Sequence, residues 1–425
     1  MNLDLRKTIG KNISINSNFR YADYRADFDA AAFTDDRDNT ALSKNSQFGI
    51  GGDYTFDKGL LNFSYNRINT ERVYEDDSTD VPANAFSKYS YSTFSSASDF
   101  VELYGNFNLS KSINLLIGVD YQRINSDQTF RSVSDFGEFI SPELTNDLAN
   151  LTNTSGYFTA IYVHKLIGVE LGGRINENSN YGVNYSYSVN PYFKTAGFKV
   201  YGVMAKAYKN PSLYQVFSEY GNRDLKPQEA FTFDVGIEYE NKNAVKVAAV
   251  IFNRRTENLF FFNSTSVAPF GEYINLDAQS ENGVELEVNK KWSKIQLYGN
   301  VTRILSAKTI VDASATESPN LSFLRRPRAV INAGLTVNPV SKLTLNGNIQ
   351  YQSKRTDRFY NSAIFASETV DLNAFKLVNL TSSYEIINNL KVGLTVNNLL
   401  NQQYFEVYGY NSQPRNFAIN ASFRL

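Results

Sequence analysis

The chain of 425 residues has no cysteine, one histidine, one tryptophan and two methionines. Without thiols there is no disulfide framework and no thiolate metal site. The one imidazole, His164, sits in Ile161-Tyr-Val-His-Lys-Leu-Ile-Gly168, at the end of an apolar alternation beside a turn. A Ser-His hydrolase needs such a histidine between a nucleophile and an orienting carboxylate, and nothing in the sequence marks either partner. No HExxH, P-loop or strand-linked GxGxxG pattern occurs. His164 reads as an interfacial polar residue, and the expectation is a protein that is not an enzyme and has no redox or organic cofactor. Charge is also lacking: 42 Lys and Arg stand against 43 Asp and Glu, a net of −1. No nucleic-acid partner is implied. No stretch approaches the 18 apolar residues of a spanning helix. The opening Met1–Asn12 lacks the apolar centre of a secretory signal. A mean hydropathy of −0.36 would by itself suggest a soluble protein.

What is abundant argues otherwise. There are 28 Tyr and 31 Phe, residues that suit strands and membrane–water interfaces. They fall at alternate positions. In Arg415–Leu425, Phe417, Ile419, Ala421, Phe423 and Leu425 share one face, and Asn416, Ala418, Asn420, Ser422 and Arg424 the other. The same period of two runs through Leu343–Tyr351, Phe231–Tyr239 and Val378–Tyr384, and begins again near Ile13, Gln47, Leu60, Phe100, Ile113, Ile167 and Ile295. By the strand template about eighteen to twenty strands of roughly ten residues result. Short connections such as Phe56–Gly59 and Asn108–Lys111 alternate with long polar ones such as 26–45, 75–98, 126–154 and 255–273. The fold expected is all-β: a transmembrane, antiparallel, up-and-down β-barrel. It has a polar lumen, an apolar face toward outer-membrane lipid, short periplasmic turns and long extracellular loops. Closure, required to satisfy the backbone in lipid, makes the last strand a full member of the sheet, paired with the first.

Two acidic stretches occupy neighbouring long loops. Thr34–Asn39 (TDDRDN) carries Asp35, Asp36 and Asp38, and Tyr74–Asp80 (YEDDSTD) carries Asp76 and Asp77. Calcium takes six to eight oxygen ligands in irregular geometry, so two such loops could share an ion. The plainer reading is Asp and Asn chosen for turns. Phe260, Phe261 and Phe262 stand together at a strand-to-loop edge, either as an interfacial aromatic girdle or as an apolar platform for a bulky ligand. Arg325 and Arg326, in Leu324-Arg-Arg-Pro327, serve lumen electrostatics or ligand contact.

Several phrases resemble one family. Asn397–Tyr404 (NNLLNQQY) is similar to the penultimate-strand signature of TonB-dependent outer-membrane receptors. Asn282–Asn289 (NGVELEVN) is similar to their G-x-E-x-E strand, and Lys209–Glu229 to their proline-leucine segment ending in L-x-P-E. Val407–Leu425, with Tyr408-Gly409-Tyr410 before a closing strand, resembles the cobalamin (vitamin B12) branch, as do Phe323–Arg328 and Tyr220–Asn222. The resemblance implies a 22-stranded barrel of a Gram-negative outer membrane, of which residues 1–425 would supply about 20 strands as one barrel domain. It implies uptake of a small-molecule ligand, a corrinoid or an iron chelate, powered by the TonB complex. It also implies calcium held by Asp35, Asp36 and Asp38, with Asp76 and Asp77 beside them, and ligand contact by Arg325, Tyr410 and Tyr74. The family's plug domain, TonB box and signal peptide do not match any stretch of these residues, so the chain is expected to be part of a longer receptor. The alternatives are an iron-siderophore or haem receptor, or a passive porin if the chain is complete.

Overall fold

The computed structural model describes residues 1–29, 32–80, 87–241, 245–264, 271–311, 322–361, 364 and 366–423. Arg424 and Leu425, and parts of the connections expected at 26–45, 75–98 and 255–273, therefore lie outside the described residues. In chain order the elements begin β1 (Asn2–Ile9), β2 (Ile13–Asp27), β3 (Asn39–Phe56), β4 (Gly59–Asp76), β5 (Ser87–Asn108), β6 (Ile113–Ser134), β7 (Gly137–Ile140) and β8 (Asn150–His164). Next come β9 (Ile167–Asn178), β10 (Gly182–Thr195), β11 (Phe198–Lys209), α1 (Leu213–Phe217), β12 (Gln228–Glu240), β13 (Val245–Ser264), β14 (Gly271–Lys291) and β15 (Ile295–Ile310). The last are β16 (Ala329–Val340), β17 (Leu343–Gln352), β18 (Arg355–Asn361), β19 (Ala366–Leu372), β20 (Phe375–Ile387), β21 (Leu390–Asn397) and β22 (Asn416–Phe423). Twenty strands belong to one antiparallel sheet, and β18 and β19 form a separate hairpin.

The chain divides into two contact units. The first is Met1–Asn190 with Met204–Phe231 and Thr256–Asp277, the second Pro191–Val203 with Thr232–Arg255 and Ala278–Leu425. In the first, β1 to β6 pair as successive hairpins, β6 continues to β8, and β8 to β9. In the second, β14 to β17 are likewise sequential. The β17 strand then pairs with β20, stepping over the β18–β19 hairpin, and β20 leads to β21 and β22. The last ladder runs from Asn397 opposite Asn416 to Leu390 opposite Phe423, so the alternation holds to the last described residue.

The two faces of the strands are chemically opposite. Apolar residues of one face, such as Phe63, Leu103, Val119, Ile175, Phe233, Ile349 and Ile419, are exposed. The other face is polar and bonded to itself. The Tyr157 hydroxyl donates to Glu102 at 2.6 Å, Arg174 donates to Asp120 and Ser155, and Ser155 donates to Asn176 at 2.6 Å. This inverts the usual globular arrangement and fits a lumen-facing polar side and a lipid-facing apolar side. It also explains the low hydropathy, since every second residue is polar. Buried apolar packing is local: Leu144, Ala149, Leu151 and Leu213 form a small core joined by Ile124 and Phe217.

The short connections are tight turns. Ala196 and Gly197 both take positive φ (48° and 87°), the two-residue form that matches hairpin twist. A Cβ at Gly197 would lie 2.6 Å from the Glu240 carbonyl oxygen, so backbone approach fixes glycine there.

The strands are longer than expected, reaching 22 residues in β5 and β6. The connections at 26–45 and 75–98 shrink accordingly, because β2 runs to Asp27, β3 starts at Asn39 and β5 at Ser87. Apolar alternation ends where the lipid-facing band ends, whereas backbone pairing needs no apolar face and continues. For the same reason Phe260 and Phe261 lie within β13 and not at its edge.

Candidate ligand platform and acidic cluster

The acidic cluster forms because β3 starts where β4 ends, with Asn39 opposite Asp76. The loop before β3 therefore stands beside the segment after β4. Asp36 folds that loop into an Asx turn: its Oδ1 accepts from the backbone N–H of Asp38 (3.3 Å) and of Asn39 (3.2 Å). Asp38 ties the two loops together. Its Oδ2 accepts from Thr79 N–H (3.0 Å), the Thr79 hydroxyl (2.8 Å) and Asp80 N–H (2.8 Å). Asp77 shapes the same turn by accepting from Thr79 N–H at 2.8 Å.

Asp36, Asp38 and Asp76 each place a carboxylate oxygen within 4.8 Å of the others. Asp36 is buried, and the remaining oxygens of the loop pair, Asp36 Oδ2 and Asp38 Oδ1, are buried without a hydrogen-bond partner. Burial and the adjoining Asp38 push the Asp36 carboxyl up to about 6. Asp38, beside Asp36 and supported by backbone and hydroxyl donors, is held well below the usual carboxylate range. Orphaned anionic oxygens at this spacing fit a hard divalent cation. Of the five predicted ligands, the structure thus brings together Asp36, Asp38 and Asp76. Asp77 serves the adjoining turn, and Asp35 is exposed outside the triad.

Asp76 is two residues from Tyr74, and Tyr74 begins an aromatic series in the same unit. Its ring lies 6.1 Å from Phe28 and 5.8 Å, edge-on, from Phe94. Phe94 meets Tyr214 of α1 at 6.1 Å, and Tyr214 meets Tyr273 at 6.1 Å. Phe262 lies 5.2 Å from Tyr273 and 5.5 Å from Tyr220. Such edge-to-face contacts present both ring faces and ring edges.

Local chemistry holds α1 in place. Ser212 and Gln215 form a capping box. Leu213 and Val216 are buried, and Gln128 donates to Glu219 at 3.1 Å. The following stretch is pinned to β14, where the Asn222 amide donates to the Tyr273 carbonyl (2.9 Å) and Asn275 accepts from Lys226 N–H (2.8 Å). Burial raises the Tyr214 and Tyr220 hydroxyls above their ordinary values, so both stay neutral donors.

Of the predicted contacts, Tyr74 stands in this series. Phe262 joins it, whereas Phe260 lies outside it with the Lys209 ammonium 5.9 Å from its ring. Phe261 is half-buried in β13. Sequence reasoning missed Phe28, Phe94, Tyr214, Tyr220 and Tyr273, which are scattered over more than two hundred residues and meet only through the register.

Arg325 and Tyr410 lie in the second unit. Arg325 sits at φ 54° and donates through Nε to Asp357 at 2.6 Å, while its N–H bonds the Thr356 carbonyl. Asp357 is fully buried and also accepts from Tyr408 N–H and Arg358 N–H, each at 2.7 Å. Arg325 thereby clamps the β15–β16 connection to the β18–β19 hairpin and to the Tyr-Gly-Tyr loop. Its neighbour Arg326 pairs with Glu281, which Arg254 also contacts at 3.2 Å. Tyr410 is exposed, its N–H bonded to the Val407 carbonyl. His164 stacks on Tyr162 at the turn end of β8, with ring centroids 6.4 Å apart.

Comparison with known proteins places this architecture. A model described as "TonB dependent receptor-like, beta-barrel" matches residues 2–399. The chain belongs to the TonB-dependent receptor β-barrel family. Its members are receptors and transporters of the Gram-negative outer membrane, not enzymes. The vitamin B12 transporter of Vibrio cholerae is 24% identical over 261 residues, covering 60% of this chain and 40% of that protein. The vitamin B12 transporter of Photobacterium profundum is 23% identical over 285 residues, covering 64% and 43%. The chain thus spans about two fifths of the length of the curated relatives it matches. Among solved structures, the ferripyoverdine receptor of Pseudomonas aeruginosa superposes with a TM-score of 0.75 at 16% identity, over 99% of this chain and 64% of that one. The copper transporter OprC gives 0.79 at 12% identity, over 99% and 73%. These structures share the fold.

Proposed function

We propose that this TonB-dependent barrel captures cobalamin and admits it with energy from the TonB complex, and that calcium orders the capture loops. The observation that carries the reading is the continuity of the acidic triad with the aromatic series. Asp76 and Tyr74 lie on the same face of β4, so an ion at Asp36, Asp38 and Asp76 would hold the loops that carry Phe28 and Thr79. From there the rings of Tyr74, Phe94, Tyr214, Tyr273, Phe262 and Tyr220 offer a long apolar edge with hydroxyl donors. A corrin is a large, mostly apolar ring system rimmed by amides, and an aromatic platform with neutral hydroxyls suits it. The two B12 transporters among the relatives support the same ligand. For Arg325 and Tyr410 as ligand contacts, the support is the family resemblance of their segments alone.

The test is titration of the protein, in detergent and as produced in the outer membrane, with cyanocobalamin and with ferric enterobactin. Each titration is run with calcium and with a chelator. Cobalamin should bind in preference, and chelation should weaken it. Tyr74→Ala should cost about 2- to 12-fold, the ~0.5–1.5 kcal/mol of an aromatic contact. Preference for the ferric siderophore would transfer the assignment to iron uptake. Cobalamin binding that ignores the chelator would remove calcium from it.

A further inference from the structure

We infer that Glu219 sets the charge preference of the aromatic platform: its carboxylate receives the N–H-bearing edge of a neutral ligand and turns anionic iron chelates away. The inference rests on the aromatic series being the place of capture. Glu219 lies in Ser218-Glu-Tyr-Gly221, the turn after α1, and is half-buried. The backbone on both sides of it is fixed. The Gly221 N–H donates to the Ser218 carbonyl (2.8 Å), the Asn222 N–H to the Gln215 carbonyl (2.9 Å) and the Tyr273 N–H to the Tyr220 carbonyl (3.0 Å). A Cβ at Gly221 would lie 2.6 Å from the Val216 carbonyl carbon, so the turn folds tightly back on α1.

The same carboxylate is held from the sheet. Gln128 of β6 lies directly opposite Phe94 of β5 and is buried, and its amide donates to Glu219 Oε2 at 3.1 Å. Gln128 is itself fixed by backbone bonds in both directions with Leu144, at 2.8 and 3.1 Å. Glu219 therefore stands beside the part of the series formed by Phe94, Tyr214, Tyr273 and Tyr220. Burial, and after it the Glu219 charge, raises the hydroxyls of Tyr214, Tyr220 and Tyr273, so one carboxylate acts on all three. The bond from Gln128 is the only one that the carboxylate accepts among the described residues. A carboxylate has about four acceptor sites, which leaves most of its capacity to a ligand.

No cation among the described residues pairs with Glu219. Arg223 is nearest in sequence, but its guanidinium stands over the Phe217 ring at 5.3 Å. Arg72 lies across from Phe94 and is exposed, and the Lys209 ammonium lies by Phe260, outside the series. The residues of this unit beyond the described set, 30–31, 81–86 and 265–270, include no Lys or Arg. Calcium at Asp36, Asp38 and Asp76 would offset the acids at the far end, which leaves Glu219 as the uncompensated charge of the platform. A half-buried carboxylate among aromatic rings accepts strongly from amide N–H groups, and it repels a second anion more than it would in water. The edge of a corrin carries carboxamides, and cyanocobalamin is neutral overall. A ferric catecholate is strongly anionic.

The test titrates the full-length protein, extracted from the outer membrane into detergent, with cyanocobalamin and with ferric enterobactin at low and at high ionic strength. Glu219→Gln keeps the shape and an oxygen for Gln128 while removing the charge, and Glu219→Asp keeps the charge. At low salt the Gln variant should bind ferric enterobactin at least about fivefold more tightly. It should bind cyanocobalamin about 3- to 10-fold more weakly, the difference between a charged and a neutral acceptor. The gain with the ferric chelate should shrink as salt rises, because screening already removes the repulsion in the wild type. The Asp variant should keep the wild-type order of preference. Circular dichroism follows strand content in each protein. A wild type that prefers ferric enterobactin would remove the cobalamin reading, while the ratio of variant to wild type for the chelate still decides Glu219. An unchanged or weaker hold on the chelate in the folded Gln variant overturns the inference. So does an Asp variant that behaves like the Gln one, or no binding of either ligand by any of the three proteins.

Discussion

Asp36 and Asp38, two residues apart in one loop, are driven in opposite directions on the acid scale: Asp36 is pushed up to about 6 while Asp38 is held far below its ordinary range. Burial beside a second carboxylate penalises the charge on Asp36, and the hydrogen bond with Asp36, then those from Asp80 and Thr79, support the charge on Asp38. The sign follows. Asp36 keeps its proton in the folded loop up to about pH 6, whereas an unfolded chain loses it near 4. Without a cation, loop stability therefore falls as pH rises through this window. Asp38 works the other way, and its contribution is lost only in strong acid. A bound cation would relieve the charge that Asp36 carries above pH 6, and protons compete for it below. The thermal shift on adding calcium is thus expected to be clear at pH 7.5 and much smaller at pH 5. An equal shift at both values would dissociate Asp36 from the ion.

The α1 turn is too short to persist alone, so its cap should govern the order of Tyr214. Ser212→Ala removes the hydroxyl that accepts from Gln215 N–H and is expected to cost about 1 kcal/mol. The loss should be local. Hydrogen exchange across 213–217 should quicken about fivefold while the melting temperature of the sheet stays put. Ligand affinity should fall with it, because Tyr214 joins Phe94 to Tyr273. Unchanged exchange would mean that the Leu144, Ala149 and Leu151 packing alone holds the helix.

Val119 is 56% exposed in the middle of the apolar face, and Asp120 beside it is buried on the polar face. Val119→Lys is expected to cost about 2–4 kcal/mol in lipid, the penalty for a cation near the bilayer midplane. In detergent micelles, where the ammonium reaches water easily, the cost should nearly vanish. Unfolding by denaturant in vesicles and in micelles measures the difference. Equal costs in the two media would place Val119 away from lipid.

The fold was legible because its period is short. Phe417, Ile419, Ala421 and Phe423 announce β22 without help from any distant residue, and so does every membrane-level strand. The upper strand ends were not legible: Ser90–Ala97 is mostly Ser and Thr and lacks a sustained apolar alternation, yet pairs with both β4 and β6. The acidic triad was half legible. Residue type singled out both loops, but the choice of Asp36, Asp38 and Asp76 over Asp35 and Asp77 depends on the Asx turn and on Asn39 facing Asp76. The aromatic series was hardly legible at all. Nothing in the sequence ties Phe94 to Tyr214; the link comes from α1 packing on Leu144, Ala149 and Leu151.

Arg325 and Asp357 form an ion pair whose two ends are unequally buried: the arginine side chain is 49% exposed and the aspartate 0%. That asymmetry decides which half is more costly to remove. In Asp357→Asn the freed guanidinium can turn to water, and the amide oxygen can still accept from Tyr408 or Arg358 N–H. In Arg325→Ala a fully buried carboxylate keeps its charge and loses its ion-pair partner, with only the longer-range attraction of Arg355 left. Breaking a buried pair from that side costs about 3–5 kcal/mol, partly offset here by the two backbone donors. Arg325→Ala should therefore be the more destabilising change, and Arg325→Ala with Asp357→Asn together should be milder than Arg325→Ala alone. The effect should appear first in the 401–414 loop, whose Tyr408 depends on Asp357. Limited proteolysis of that loop, read beside a thermal melt of the sheet, makes the comparison. If the two single variants are equally sensitive, the buried charge on Asp357 does not set the order of the Tyr-Gly-Tyr loop.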